Sequence, residues 1–347
     1  MLIRLILIFS VLALVFKTSV GYCQGKILHQ EYTFMFCNTE NFYDSENDPL
    51  TNDDEFTPQG NRGWTSYRYH TKAERLGKVI VAAGKWNPPV FVGLCETENL
   101  DVLKLLTGIA PLEKYHYKIV QKDSPDERGI DVAFIYRPDL FSPFDYETIP
   151  INDPNDKTFK TRDILRVTGV LNGCDTLHIF VNHWPSRYGG IMETINYRSL
   201  AASMLKKSVL ALQQKFGKAK IICIGDFNDT PKDQSIEKVL EAREEDSPDL
   251  DGELINLSYQ WISQPVQTIK SQYTWEVFDQ VIVSDFFLKE NNCYQFQKTE
   301  IFNPAFLLEP DQKFGGVKPK RTYIGMKYQE GFSDHLPVLV KITAKNP

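Results

Sequence analysis

The chain has 347 residues, 42% of them apolar, with 39 Lys and Arg against 45 Asp and Glu, for a net charge of −6. That is enough chain for one large or two ordinary domains. It excludes the overall basic footprint of a sequence-independent DNA binder. It does not exclude a hydrolase working through bound cations, because such ions reverse the sign of the local field.

The first segment reads as a leader. Arg4 precedes the apolar run Leu5–Phe16, and Lys17 and the small residues Ser19 and Gly21 follow it. A charged start, a run of this length and small residues at its end have the pattern of a secretory signal over residues 1–21, cleaved after Gly21. The run is short for a bilayer span. Its loss removes Arg4 and Lys17 and takes the charge from −6 to −8. Cys23 leaves a lipid-anchored form open. No linker, charge block or repeat divides the remainder, so a single domain over residues 26–345 is expected, monomeric and without a protein partner.

Elements follow in chain order. Tyr32–Cys37 reads as a strand ending at Asn38, and a polar, turn-rich segment with Asp44, Asp48, Asp53, Asp54 and Glu55 runs on to His70. Leu76, Val79, Ile80 and Ala83 have helical spacing within 71–84, with Thr71 and Glu74 as a capping box. Val90–Cys95 is an apolar strand that stops at Glu96, and residues 99–106 form a short helix. Strands are expected over 130–136, 164–171 and 177–182, the last ending at His183. A long amphipathic helix covers 193–216. The apolar run Ile221–Ile224 leads into Gly-Asp-Phe-Asn-Asp, a helix follows Pro231, and strands close the chain over 277–283 and 337–342. Strands and helices alternate with hairpin-like stretches between them, so the class is α/β with mixed sheets. Cys37, Cys95 and Cys223 fall in apolar runs as small buried hydrophobes, while Cys174 and Cys293 are free to pair or not.

Polar residues collect just past strand ends: Asn38 and Glu40, Glu96, His183, Asp226 and Asn228, and Asp334-His335 before the last strand. Asp279 lies inside an apolar strand, where a carboxylate is costly unless a donor or cation meets it. A histidine is the obvious partner. Such a set suits phosphate ester hydrolysis, which needs charge neutralised on phosphoryl oxygens, an activated water and a proton for the leaving oxygen. Carboxylate and amide oxygens are hard ligands suited to Mg²⁺, with Mn²⁺ or Ca²⁺ as alternatives. No zinc-type Cys/His spacing, Gly-rich nucleotide loop or GxSxG elbow is present.

The ordered series NTENFYD (38–44), GLCETEN (93–99), RGIDVAFIY (128–136), TRDIL (161–165), VNHWPSR (181–187), GDFND (225–229), FDQVIV (278–283) and SDHLPV (333–338) resembles the endonuclease/exonuclease/phosphatase superfamily. The resemblance implies a four-layer α/β sandwich of the deoxyribonuclease I type, with two packed mixed β-sheets flanked by helices and the site at one rim. It implies Glu96, Asn38 and Asp334 at the metal, and Asp226 and Asn228 positioning phosphate and water. It further implies His335 held by Asp279, His183 as a second histidine oriented by Asp131, and Arg162 on the phosphate. Arg187 is a candidate bidentate phosphate clamp. Glu40 is expected to hydrogen-bond behind the metal, and Lys318–Arg321 to be a solvated loop.

The expected activity is a divalent-metal-dependent phosphodiester hydrolase, foremost a secreted nuclease, with His335 as base and His183 as acid. The alternative is a phosphatase or phosphodiesterase of inositol phosphates or phospholipid headgroups. A sphingomyelinase-like enzyme would need an exposed apolar hairpin, for which Phe302, Phe306, Leu307 and Leu308 are the candidates. A catalytically silent binding module would have lost one of Glu96, His183, Asp226 or His335, and all are present. N-terminal sequencing of protein from the native host is expected to begin near Tyr22 or at a modified Cys23. An intact Met1 on a soluble product contradicts the leader.

Overall fold

The computed structural model describes residues 30–85, 87–245, 253–289 and 293–344. The leader over 1–21 and Cys23 lie outside the described residues. No helix among the described residues is long and apolar enough to cross a membrane.

The strands in chain order are β1 (Glu31–Phe42), β2 (Phe91–Thr97), β3 (Lys118–Gln121), β4 (Asp131–Tyr136), β5 (Phe141–Ile149), β6 (Ile164–Leu171), β7 (Asp175–His183) and β8 (Ile221–Asp226). They continue as β9 (Ala242–Arg243), β10 (Leu254–Asn256), β11 (Ile269–Ser271), β12 (Thr274–Glu276), β13 (Asp279–Ser284) and β14 (Tyr294–Ile301). Two small ribbons follow, β15 (Leu308–Pro310) with β16 (Val317–Pro319) and β17 (Tyr323–Ile324) with β18 (Lys327–Tyr328), before β19 (Val338–Ala344). One sheet has the order β14-β19-β1-β2-β4-β3 and the other β5-β6-β7-β8-β13-β10-β9. Both are mixed, since β1–β2 and β7–β8 pair parallel among antiparallel neighbours.

Side-chain alternation explains why the sheets pack face to face. In β7, Leu177, Ile179 and Val181 join the core that also holds Phe34, Phe36 and Val340 of the first sheet, while Phe180 turns to the opposite face. Ile222 and Ile224 of β8 and Val281 and Val283 of β13 enter the same inter-sheet core, and Ile221, Cys223 and Ile282 face away. That outer face is covered by the helix α3 (Ile191–Phe216), through Ala201, Ala202, Leu205 and Val209. The first sheet is covered by α1 (Ser66–Ala83), whose Leu76, Val79 and Ile80 reach its strands, with α2 (Leu100–Gly108) beside it. The result is the expected four-layer sandwich. The sheets approach closely at Gly93, where a Cβ would sit 3.2 Å from the Val181 side chain.

Differences from the sequence reading have local causes. Helix α1 starts five residues early because Thr65, not Thr71, caps it by accepting from Arg68 N. The polar segment after β1 is not simply solvated, since Tyr43, Phe56 and Trp64 form a satellite core with Ile130 and Tyr323. Strands β3, β5 and β14 were not expected, because their residues alternate poorly and lie at sheet edges. The segment after Pro231 winds as a π-helix over Ser235–Leu240.

Cys174, in the β6–β7 turn, and Cys293, just before β14, form a disulfide that ties the two sheets together. It closes a separation of 119 residues. Cross-links of that span restrict the unfolded chain strongly, so the double substitution Cys174→Ser/Cys293→Ser is expected to lower stability by about 2–4 kcal/mol. Urea unfolding of the oxidised protein and the double variant measures this; equal midpoints contradict it.

Candidate active site

Register places the site. His183, Asp226 and Asp279 are directly opposed across β7, β8 and β13. By the same alternation that sends Val181, Ile224 and Val281 inward, all three project from the inter-sheet face at one rim. Asn38 and Cys95, paired across β1 and β2, approach from the other sheet. Gly225 is required because a Cβ there would lie 2.3 Å from the Asn182 carbonyl oxygen. Asn228 then takes a left-handed conformation with φ +50°, which Asn tolerates. Its N–H donates to Asp226 Oδ1 at 2.9 Å, and its side-chain nitrogen donates to the Trp184 carbonyl at 3.0 Å.

Glu96 arrives by a different route. The β1–β2 and β2–β4 registers both slip here, and Glu40, Asn41 and Glu96 have φ of +52°, +57° and +58°. Positive φ in a non-glycine residue is strained and is held only by its surroundings. Here Thr39 Oγ1 donates to the Cys95 and Glu96 carbonyls, and Asn41 N–H donates to Glu96 Oε2 at 2.8 Å. Glu96 Oε1 lies 3.9 Å from His183 Nε2 and takes no hydrogen bond from a described residue.

Asp226 is the centre of the cluster. Its Oδ2 accepts from Asn38 Nδ2 at 3.1 Å and lies 3.8 Å from Nε2 of both His183 and His335. Those two gaps are too long for hydrogen bonds. An oxygen placed about 2.8 Å from each end would bridge either gap. His335 Nδ1 meets Asp279 Oδ2 at 2.7 Å, which fixes the ring. Ser333 braces the turn, donating to the Asn38 carbonyl and accepting from His335 N–H.

Charge in this buried cluster is uneven. Burial lifts Asp226 to about 6, against the opposing pull of His335. Burial alone would lower His335, yet the Asp279 and Asp226 carboxylates outweigh it and hold the imidazole protonated well above its ordinary range. His183 is pushed well below that range by burial and then by Arg162 and Arg128. The free protein therefore presents a cationic His335 and a neutral His183.

Other expected residues lie elsewhere or are already engaged. Asp131 does not orient His183; its carboxylate accepts from Ser124 N–H at 2.9 Å and Gln121 Nε2 at 3.3 Å, and His183 Nδ1 has no hydrogen-bond partner among the described residues. Asp131 begins β4 and pairs with Thr97, one residue past the bulge, which directs it away. Arg187 is no free clamp, because its guanidinium meets Asp229, Asp233, Glu276 and the Asn228 carbonyl and stacks on Phe278. It braces the Asn228 turn instead. Arg162 is buried, paired with Asp126 at 2.9 Å and donating to the Trp184 carbonyl at 2.7 Å.

Lys318–Arg321 is not a solvated loop. Arg321 meets Glu40 at 3.1 Å and Asp334 at 2.9 Å, and Thr322 N–H donates to Glu40 at 2.5 Å. Burial opposes ionisation of Asp334, but Arg321, His335 and Lys72 outweigh it and depress its carboxyl. Arg321 carried no sequence signal, since its partner Glu40 is 281 residues away. Lys72 did carry one: it falls on the apolar stripe of α1 and donates, fully buried, to Thr322 Oγ1 and the Phe332 carbonyl.

The donor set fits a hard divalent cation. Glu96 keeps an oxygen free of hydrogen bonds from the described residues, with the Asp226 carboxylate beside it, as Mg²⁺ prefers, while the Asn38 amide oxygen accepts from Glu40 N–H at 2.9 Å and its nitrogen faces Asp226. Asp334 is drawn toward Arg321.

Because the native pKa of His335 is raised, the stabilisation it gains from Asp279 is complete below its unfolded value of about 6.5 and is lost as pH rises through the native value. The advantage of wild type over Asp279→Asn in urea unfolding is therefore expected to be largest near pH 6 and to shrink with rising pH. A parallel NMR titration of His335 in metal-free protein should show a lower midpoint in the variant. An unmoved midpoint contradicts the pairing.

A sequence model described as the endonuclease/exonuclease/phosphatase family matches residues 33–344. No curated protein matches the sequence. Among solved structures, an endonuclease/exonuclease/phosphatase family protein from Bacteroides thetaiotaomicron is similar over 92% of this chain and all of its own, at 14% identity and a TM-score of 0.56. TDP2 from Caenorhabditis elegans is similar over 90% of this chain and 75% of its own, at 13% identity and a TM-score of 0.54. The human Nocturnin catalytic domain, solved with a bound sulfate anion, covers 92% and 96% at 16% identity and a TM-score of 0.52. At these identities the structural likeness carries the fold, and the match along almost the whole sequence carries the family. Enzymes of that family generally use divalent metal ions. The chain belongs to the endonuclease/exonuclease/phosphatase family, and it is a hydrolytic phosphoesterase.

Proposed function

We propose that the protein is an exported, Mg²⁺-dependent phosphodiesterase acting as a monomer on nucleic acid. The observation that carries the chemistry is the shared Asp226 carboxylate, flanked at 3.8 Å by both imidazoles. Mg²⁺, when bound by Glu96 with Asp226 and Asn38 beside it, supplies charge neutralisation for the phosphate. The side chains divide the remaining work by their charges. Asp226, lifted to about 6 by burial, accepts a proton from the attacking water. His335, kept cationic by Asp279, gives its Nε2 proton to the departing oxygen. His183, neutral and lacking a carboxylate behind Nδ1, donates an Nε2 hydrogen bond to another phosphoryl oxygen and is not the acid.

Substrate class is argued from what surrounds the cluster. Arg162, Arg187 and Arg321 are each paired with carboxylates, and only Arg128, 3.7 Å from Asp126, stands looser near Glu96, which is modest positive charge for a headgroup carrying several phosphates. Phe302, Leu307 and Leu308 pack on the inter-sheet core and leave Phe306 alone half-exposed, so that segment is not a bilayer-entering hairpin. Both observations favour a single diester in a soluble polymer. Export is supported by the leader-like start and by the Cys174–Cys293 disulfide, since such bonds persist in oxidising compartments.

Purified protein is expected to cleave DNA or RNA with Mg²⁺, and to leave sphingomyelin and inositol phosphates untouched. Activity confined to those lipids or headgroups contradicts the substrate reading. Asp226→Asn should lose on the order of a hundredfold to ten-thousandfold in turnover. His183→Ala should lose roughly a hundredfold or more, and by the same factor on a natural diester and on a nitrophenyl ester. A loss confined to the poor leaving group would restore His183 as the acid.

A further inference from the structure

Cys95 is not needed for the hydrolysis described above, yet it stands inside its site. The thiol belongs to a strand whose alternate residue, Gly93, faces Val181 across the inter-sheet gap, so Cys95 projects toward the second sheet. There its sulfur, a ring nitrogen of His183 and a carboxylate oxygen of Asp226 all lie within 4.8 Å of one another. All three side chains are buried, and the imidazole has a second nitrogen, Nδ1, with no hydrogen-bond partner among the described residues.

We infer that Cys95, His183 and Asp226 form a site for a thiophilic divalent cation such as Zn²⁺ or Cd²⁺, distinct in chemistry from the hard-oxygen site at Glu96, and that occupation of this site blocks hydrolysis. One sulfur, one nitrogen and one oxygen ligand make the set that Zn²⁺ takes in open tetrahedral sites. Mg²⁺ has no use for a thiol. Zinc bond lengths of 2.0–2.2 Å to nitrogen and oxygen put such ligands roughly 3.4 Å apart, and His183 Nε2 already lies 3.8 Å from Asp226 Oδ2. Side-chain rotation of a few tenths of an ångström closes that edge, and Cys95 Sγ, within 4.8 Å of both atoms, completes the triangle by moving on the order of 1 Å. Coordination releases the thiol proton, so the ion gains a thiolate ligand and the bulk solvent gains one proton. Inhibition follows because Asp226 and His183 are withdrawn from the phosphate. That consequence rests on the proposed hydrolysis, whereas the binding itself does not.

The test uses the full chain in excess Mg²⁺, titrated with Cd²⁺ while thiolate-to-metal absorption is followed in the ultraviolet. Wild type is expected to take up one Cd²⁺ with thiolate absorption. The band should survive Cys23→Ala, Cys37→Ala and Cys223→Ala, and vanish in both Cys95→Ala and Cys95→Ser. Absence of the band in wild type, which needs no variant to fold, overturns the site. So does a band that persists without Cys95. In parallel, Zn²⁺ should inhibit Mg²⁺-supported diester cleavage, and Cys95→Ala should need at least about tenfold more Zn²⁺ for the same inhibition. Unchanged inhibition in that variant contradicts the block. If no diester is cleaved at all, the proposed phosphodiesterase reading fails, while the absorption titration still decides the metal site.

Discussion

One carboxylate in a fixed register organises the rim. Asp226 ends β8 opposite His183 on β7 and Asp279 on β13, so three neighbouring strands deliver two acids and an imidazole in a row. The row has to lie on the inter-sheet face, because a slip of one residue would turn every one of these side chains into the helix layer. The apolar residues immediately behind it, among them Val181, Ile224 and Val281, enforce the register by their burial. Fold stability and site geometry thus rest on the same alternation.

The second sheet is needed because a row of acids and an imidazole is not yet a site. Asn38 hydrogen-bonds Asp226 across the gap, Ser333 ties the His335 turn to the Asn38 carbonyl, and Glu96 is bent into reach by a strained bulge. Around this core lies a ring of ion pairs, Arg162–Asp126, Arg187–Asp229 and Arg321–Glu40–Asp334, that fixes the loops. Breaking the buried pair Arg162–Asp126 leaves an uncompensated charge, which is why it holds geometry well even where its net stabilisation is small. The same burial sets protonation. Two carboxylates facing His335 outweigh its burial and keep it charged, while burial, helped by two guanidiniums, keeps His183 neutral.

The strands that carry the site were legible in sequence because each is an uninterrupted apolar run that stops at a polar residue. Asn38, Glu96, His183 and Asp226 could all be read this way, and the Asp279–His335 pair follows from the cost of a lone carboxylate inside an apolar strand. What escaped was whatever depends on contacts distant in sequence. Arg321 looked like part of a basic loop because nothing near it announces Glu40. Asp131 looked well placed for His183 because a β-bulge, which changes the direction of one side chain, leaves no periodic trace. Arg187 and Arg162 looked like phosphate ligands because sequence shows a guanidinium and not the carboxylates that already occupy it. The histidine charges were not legible for the same reason, since protonation is set by neighbours from four separate strands and loops.

The central claim is that Asp226 and His335, 3.8 Å apart, set each other's charge and so act as one coupled unit although they serve different oxygens. A double-mutant cycle on kcat/KM for a nucleic acid diester, using Asp226→Asn, His335→Gln and the double variant, tests it most directly. Coupling predicts that the double variant loses little more than the worse single variant. Losses that multiply, as for two independent groups, would contradict the account.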